Sequence, residues 1–88
     1  MRRVDIYVLR LAPDADALVR VLTVVARLPG QVLSLAHVEA STRLEIRGLT
    51  PEFAELLAAR LRALPCVAGL HYLPGHGPAS QALDKVAS

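Results

Sequence analysis

A chain of 88 residues is long enough for one domain and too short for two, and its 53% hydrophobic share with 3% aromatics exceeds what so modest a core can hide, so some apolar surface is expected to face another chain. The formal charge is +2 and nine of the ten basic residues are arginines scattered from Arg2 to Arg62, which leaves no clustered footprint for nucleic acid or a membrane surface. The lone Cys66 excludes an internal disulfide framework, no apolar run reaches the roughly 18 residues of a spanning helix, and the chain opens as a strand instead of a charged leader, so a cytoplasmic location is the default expectation.

Val4, Ile6 and Val8 alternate with Arg3, Asp5, Tyr7 and Leu9, the period-two pattern of a half-buried strand. Pro13 breaks that strand, and Asp14 is placed to cap a helix whose first turn also carries Asp16, at the positive end of the helix dipole. Leu18, Val21, Leu22, Val25 and Leu28 recur at helical spacing, and Pro29-Gly30 marks the stop. A second strand is expected over Val32 to Glu39, a tight connection at Ala40-Ser41, and a third strand over Thr42 to Arg47. Thr50-Pro51 is a cap followed by proline at the first helical position. Phe53, Leu56, Leu57, Leu61 and Leu64 then form the second helical stripe, and Pro65 ends it. A fourth strand over Val67 to Leu73 closes a domain spanning residues 1–74, and residues 75–88 read as a tail after the Gly75-His76-Gly77-Pro78 break.

The order βαββαβ, with right-handed crossovers, predicts a ferredoxin-like α+β sandwich. Two helices lie on one face of a four-stranded antiparallel sheet of order 2-3-1-4. The helix-free face is expected to carry Tyr7 and Leu9, the charged row Arg43, Glu45 and Arg47, and Leu33, Leu35, His37 and Glu39 from the second strand. That second strand lies at an edge, and no Lys or Pro within it discourages pairing. Its residues Val32, Leu33, Ser34 and Leu35 are therefore the expected seam of a two-fold homodimer.

The run Leu18-Val19-Arg20-Val21-Leu22-Thr23-Val24-Val25-Ala26-Arg27, followed by Val32-Leu33-Ser34-Leu35, resembles the ACT domain of acetolactate synthase small subunits over residues 4–73. That resemblance implies an amino-acid effector site where the first loop and helix of one chain meet the second strand of its partner. Carried over by position, the site comprises Pro13, Asp14, Ala15 and Asp16 with Gln31 and Val32. Free N–H groups at a helix start suit a ligand carboxylate. Pro13 and Asp16 depart from the Asn and Gly common in effector-binding members, and Gln31 replaces a frequent Asn.

Catalytic constellations are not evident. Asp14 and Asp16 are ordinary capping residues before they are an acid–base pair. His37, His71, His76 and Cys66 have no metal-ligand spacing, and no Gly-rich phosphate cradle or nucleophile elbow is present. The expectation is a regulatory subunit, not an enzyme, with no cofactor of its own, that activates or stabilises a catalytic acetolactate synthase chain in branched-chain amino acid biosynthesis. Alternatives are a free-standing ACT-type amino-acid sensor acting on another partner, and a ferredoxin-like nucleic-acid or oligomerisation module. For RNA the central strands would need stacked aromatics, and only Tyr7 qualifies.

Overall fold

A computed structural model describes residues 3–76. The elements are β1 (Val4–Leu11), α1 (Ala17–Ala26), β2 (Gln31–Val38), β3 (Ser41–Arg47), α2 (Pro51–Arg62) and β4 (Val67–His76). They build one antiparallel sheet of order β2-β3-β1-β4, the ferredoxin-like arrangement expected from the element order. Of the tail expected over residues 75–88, residues 77–88 lie outside the described residues. Residues 75 and 76 belong to β4, which runs three residues past its expected end.

Local chemistry explains most boundaries. Thr50 caps α2, its hydroxyl accepting the Phe53 N–H at 3.2 Å, with Pro51 opening the helix. α1 starts later than expected, because Asp14 does not cap it. The Asp14 carboxylate instead accepts the Asp16 N–H at 3.0 Å, an Asx-type turn that carries the chain into a helix beginning at Ala17. α1 ends at Ala26, ahead of Pro29-Gly30. The β2–β3 connection is the pair Glu39-Ala40, one residue earlier than expected, flanked by Val38 opposite Ser41. Glu39 adopts φ 56°, a left-handed conformation that costs a side-chain-bearing residue about 1–2 kcal/mol.

The core forms between the helices and the sheet face that carries Tyr7, Leu9 and Leu11. This reverses the expected phase of β1. Tyr7 and Leu9 lie opposite Leu44 and Thr42 in the core, whereas Val4, Ile6 and Val8 lie opposite Arg47, Glu45 and Arg43 on the helix-free face. The charged row of β3 is where it was expected. On β2, Leu35 and His37 lie opposite Leu44 and Thr42, on the core side, and Leu33 sits in a register slip between Val32 and Ser34. The parity of the hairpin dictates this, since a two-residue connection sets the odd-numbered Leu35 and His37 of β2 opposite the even-numbered, core-facing residues of β3.

α2 also differs from its expected stripe. Ala54, Leu57, Ala58 and Leu61 are buried, and Phe53 and Leu56 are exposed. The two alanines let the helix backbone approach the sheet closely. The Tyr7 hydroxyl uses that approach to donate to the Ala54 carbonyl at 2.9 Å. Gly30 marks a second close approach, because an added Cβ would fall 2.6 Å from Ile46 Cγ2 and 2.9 Å from Leu49 Cδ2. Gly30→Ala is therefore expected to destabilise the domain by about 1–3 kcal/mol, as overpacked core sites do, and a urea melt checks this.

Candidate functional site

Two polar constellations stand out on the core side of the sheet. The first was invisible in the sequence. Asp5 is fully buried, and its Oδ1 accepts from Tyr72 Oη at 2.9 Å, the Gly75 N–H at 2.8 Å and Arg3 Nη2 at 2.9 Å. Arg3 Nε adds a bond to Oδ2 at 3.0 Å, completing a forked ion pair. Tyr72 stacks on Tyr7 with ring centroids 4.8 Å apart. Every buried side-chain oxygen and nitrogen among the described residues has a partner. The hydrogen bond to Asp5 drives the Arg3 pKa further above its usual range.

Burial raises the Tyr7 pKa above its ordinary 10, helped by the negative potential of Tyr72 and Asp5. Tyr72 is raised by burial and then by its bond to Asp5. A raised folded-state pKa means that the unfolded chain releases the proton first. The tyrosines' contribution is therefore intact below the unfolded value near 10 and is lost as the pH climbs above it. Tyr7 and Tyr72 are the two tyrosines of the chain, so absorbance near the tyrosinate band is expected to stay flat past pH 10 and to rise only with alkaline unfolding. A normal titration curve in the folded protein contradicts this.

The second constellation is a cleft of about 420 Å³ lined by Leu11–Ala15, Ala17, Leu18, His37 and Glu39. The segment between β1 and α1 forms one wall, and the last turn of β2 and the hairpin form the other. The Leu11 N–H bonds to the Ala40 carbonyl at 2.8 Å, which ties the walls together. His37 Nδ1 is 2.6 Å from Thr42 Oγ1, which fixes the ring at the cleft's edge. The volume falls in the range of small-molecule sites.

Of the expected effector residues, Pro13, Asp14 and Ala15 line this cleft and Asp16 does not. Gln31 and Val32 lie at the opposite end of β2, about 20 Å away for a strand of this length. Gln31 there accepts a hydrogen bond from Arg47 Nη2 at 2.6 Å. His37 and Glu39 are the cleft residues that the sequence reading missed: His37 was assigned to the helix-free face, and Glu39 sits in the turn, where it borders both the cleft and the helix-free side of the sheet. The signal that would have found His37 is the alternation of β3 carried across a two-residue hairpin, which sets odd-numbered β2 residues opposite Thr42 and Leu44. Among the described residues no group of three or more His, Cys, Asp or Glu is arranged to hold a metal, and no helix is long and apolar enough to cross a membrane.

Comparison with solved structures identifies the architecture. The ACT domain of GTP pyrophosphokinase from Chlorobium tepidum superposes with a TM-score of 0.65 at 12% identity, over 83% of this chain and 97% of that one. The chain has the ACT fold. Homoserine dehydrogenase from Thiobacillus denitrificans matches with a TM-score of 0.66 at 18% identity, over 84% of this chain but 17% of that protein. The C-terminal domain of MgtC from Mycobacterium tuberculosis gives 0.58 at 20% identity, over 83% and 87% of the two chains. No protein-family model matches the chain, and no curated protein sequence does either. Within the ACT fold the cleft sits where the first loop and first helix meet the tip of the β2–β3 hairpin.

All eight residues of β2 are exposed, with Val32, Leu33 and Leu35 at 41%, 43% and 41%. The opposite edge is protected differently. Pro74 lacks an N–H and Gly75 bends β4 at φ 58°, at the register shift opposite Val4 and Ile6, two devices that discourage pairing at an edge. The helix-free face carries none of the chain's three aromatics, since Tyr7 and Tyr72 stack beneath the helices and Phe53 lies on α2. A base-stacking platform is thus absent from that face.

Proposed function

We propose that this chain is a regulatory ACT-type domain that binds a small amino acid at the Pro13–Ala15 cleft and passes that binding to a partner enzyme. The observation that carries the proposal is the cleft itself, an apolar pocket at a helix start that also holds Asp14, His37 and Glu39. Leu11, Ala15 and Leu18 suit an aliphatic side chain. Asp14 and Glu39 suit an ammonium group, and the N–H groups opening α1 suit a carboxylate.

Two-fold pairing of β2 with β2 of a second copy accounts for the remaining expected residues. An antiparallel seam centred near Leu35 sets the first residues of one strand beside the last residues of the other. The partner's Gln31 and the partner's Val32 then approach His37 and Glu39 and complete the cleft, with Leu33, Ser34 and Leu35 at the centre of the seam. Regulation follows if the liganded dimer contacts one state of the catalytic partner better than another. Acetolactate synthase is the partner that the pattern of Leu18–Arg27 and Val32–Leu35 favours. A free-standing sensor for another enzyme uses the same site.

Calorimetric titration with valine, leucine and isoleucine, with oligomer mass recorded alongside, tests the proposal. Saturable heat that disappears in Asp14→Ala and weakens in Gln31→Ala is the expected result. A stable dimer that shows no heat with any proteinogenic amino acid overturns the sensor and leaves a ligand-independent activator.

A further inference from the structure

The helix-free face of the sheet has a surface chemistry of its own. Val4, Ile6 and Val8 form an apolar column along β1, bordered on β3 by Arg47, Glu45 and Arg43. Ile6 is 7% exposed although no helix covers it, and it lies outside the core cluster. At the upper end of this column is a recess of about 590 Å³, lined by Val8, Arg10, Val38, Ser41, Gly69 and His71 with Glu39 at its rim. The recess exists because Gly69, opposite Arg10, contributes no side chain. A Cβ built there would meet nothing within 4 Å.

Charge indicates what such a face accepts. The face carries the arginines Arg10, Arg43 and Arg47 against two glutamates, Glu45 and Glu39 at the recess. Arg43 is held by Glu45 at 2.9 Å, and Arg47 is engaged by the Gln31 amide. Arg10 has no ion-pair or side-chain hydrogen-bond partner among the described residues and stands exposed beside the recess. Two copies packed face to face would oppose cation to cation, which costs affinity. We propose that this face docks an acidic segment of a partner protein, with an apolar side chain seated in the Gly69 recess and carboxylates against Arg10 and Arg43. The proposal goes beyond the regulatory reading, because it requires neither an amino acid in the cleft nor pairing of β2.

The test uses a synthetic peptide of alternating glutamate and leucine, with a lysine–leucine peptide as control, titrated into the isotopically labelled full chain. The expected result is a set of amide shift changes at Val8, Arg10, Ser41 and His71 from the acidic peptide alone, weakening as salt rises over the range that screens surface charge. Arg10→Glu should weaken binding about fivefold or more, the factor set by one partly exposed ion pair. Gly69→Leu should abolish binding by filling the recess, and the open space around Gly69 lets the variant fold. Equal binding of the lysine peptide, shift changes confined to β2 or the helices, or full affinity in Arg10→Glu would each overturn the proposal. Cleft and seam residues report separately, so failure here leaves the amino-acid site untouched.

Discussion

Asp5→Ala is expected to cost about 3–5 kcal/mol, the loss typical when one member of a buried charged network is removed. The expected loss is a large share of the several kcal/mol that hold a domain of this size together. Three donors lose their acceptor at once: the Tyr72 hydroxyl, the Gly75 N–H and the Arg3 guanidinium. The arginine's loss is softened, because its side chain is 30% exposed and water can replace part of the ion pair. The half-buried Tyr72 hydroxyl accounts for most of the cost through unsatisfied hydrogen-bonding capacity, since water can reach the exposed Gly75 as well. Asp5→Asn keeps one oxygen acceptor, so its loss should be roughly half as large. Urea unfolding of both variants provides the measurement. An Asp5→Ala midpoint within error of the parent would show that the cluster contributes nothing net.

The second large effect concerns assembly. Leu35→Lys is expected to convert the proposed β2-paired dimer into a folded monomer, raising its dissociation constant by two orders of magnitude or more, about 3 kcal/mol. The proposed two-fold seam would place the substituted residue near its own copy, so two ammonium groups would meet in a desolvated strip. The monomer should survive because Leu35 is 41% exposed in the isolated chain, and a lysine there can extend its charge into solvent. Sedimentation or light scattering together with circular dichroism separates the outcomes. Retention of the native mass by a folded variant would place the interface elsewhere, as would a parent chain that is monomeric at micromolar concentration.

Element order, sheet order and the alternation of β3 were legible in the residues, because Pro13, Pro29-Gly30, Thr50-Pro51 and Pro65 punctuate the chain and local turn chemistry sets those boundaries. The phase of β1 was not. Val4-Asp5-Ile6-Tyr7-Val8-Leu9 carries apolar residues on both sides, and the one charged residue among them pointed the wrong way. A buried aspartate is unfavourable until its donors are known, and two of those donors lie 67 and 70 residues further along the chain. For α2, size misled. Phe53 and Leu56 looked like core residues, but Ala54 and Ala58 allow the close approach. At the candidate site, Pro13, Asp14 and Ala15 were legible from the helix start. His37 depended on carrying the alternation of β3 across the hairpin, Glu39 sits in the turn itself, and no single chain brings Gln31 to the loop.

The long span between Asp5 and its donors also constrains how the protein is made. A chain emerging from the ribosome displays β1 and the Asp5 carboxylate early, yet Tyr72 and Gly75 appear some seventy residues later. Until then β1 lacks one of its two neighbours, and its charge must remain hydrated. Contacts so distant in sequence close slowly. The partly synthesised β1-α1-β2-β3 unit is therefore expected to stay loose, and the sheet to lock in one late step as β4 arrives. Truncation at Tyr72 would remove Gly75 together with the end of β4, leaving a chain able to start the fold but not to complete it.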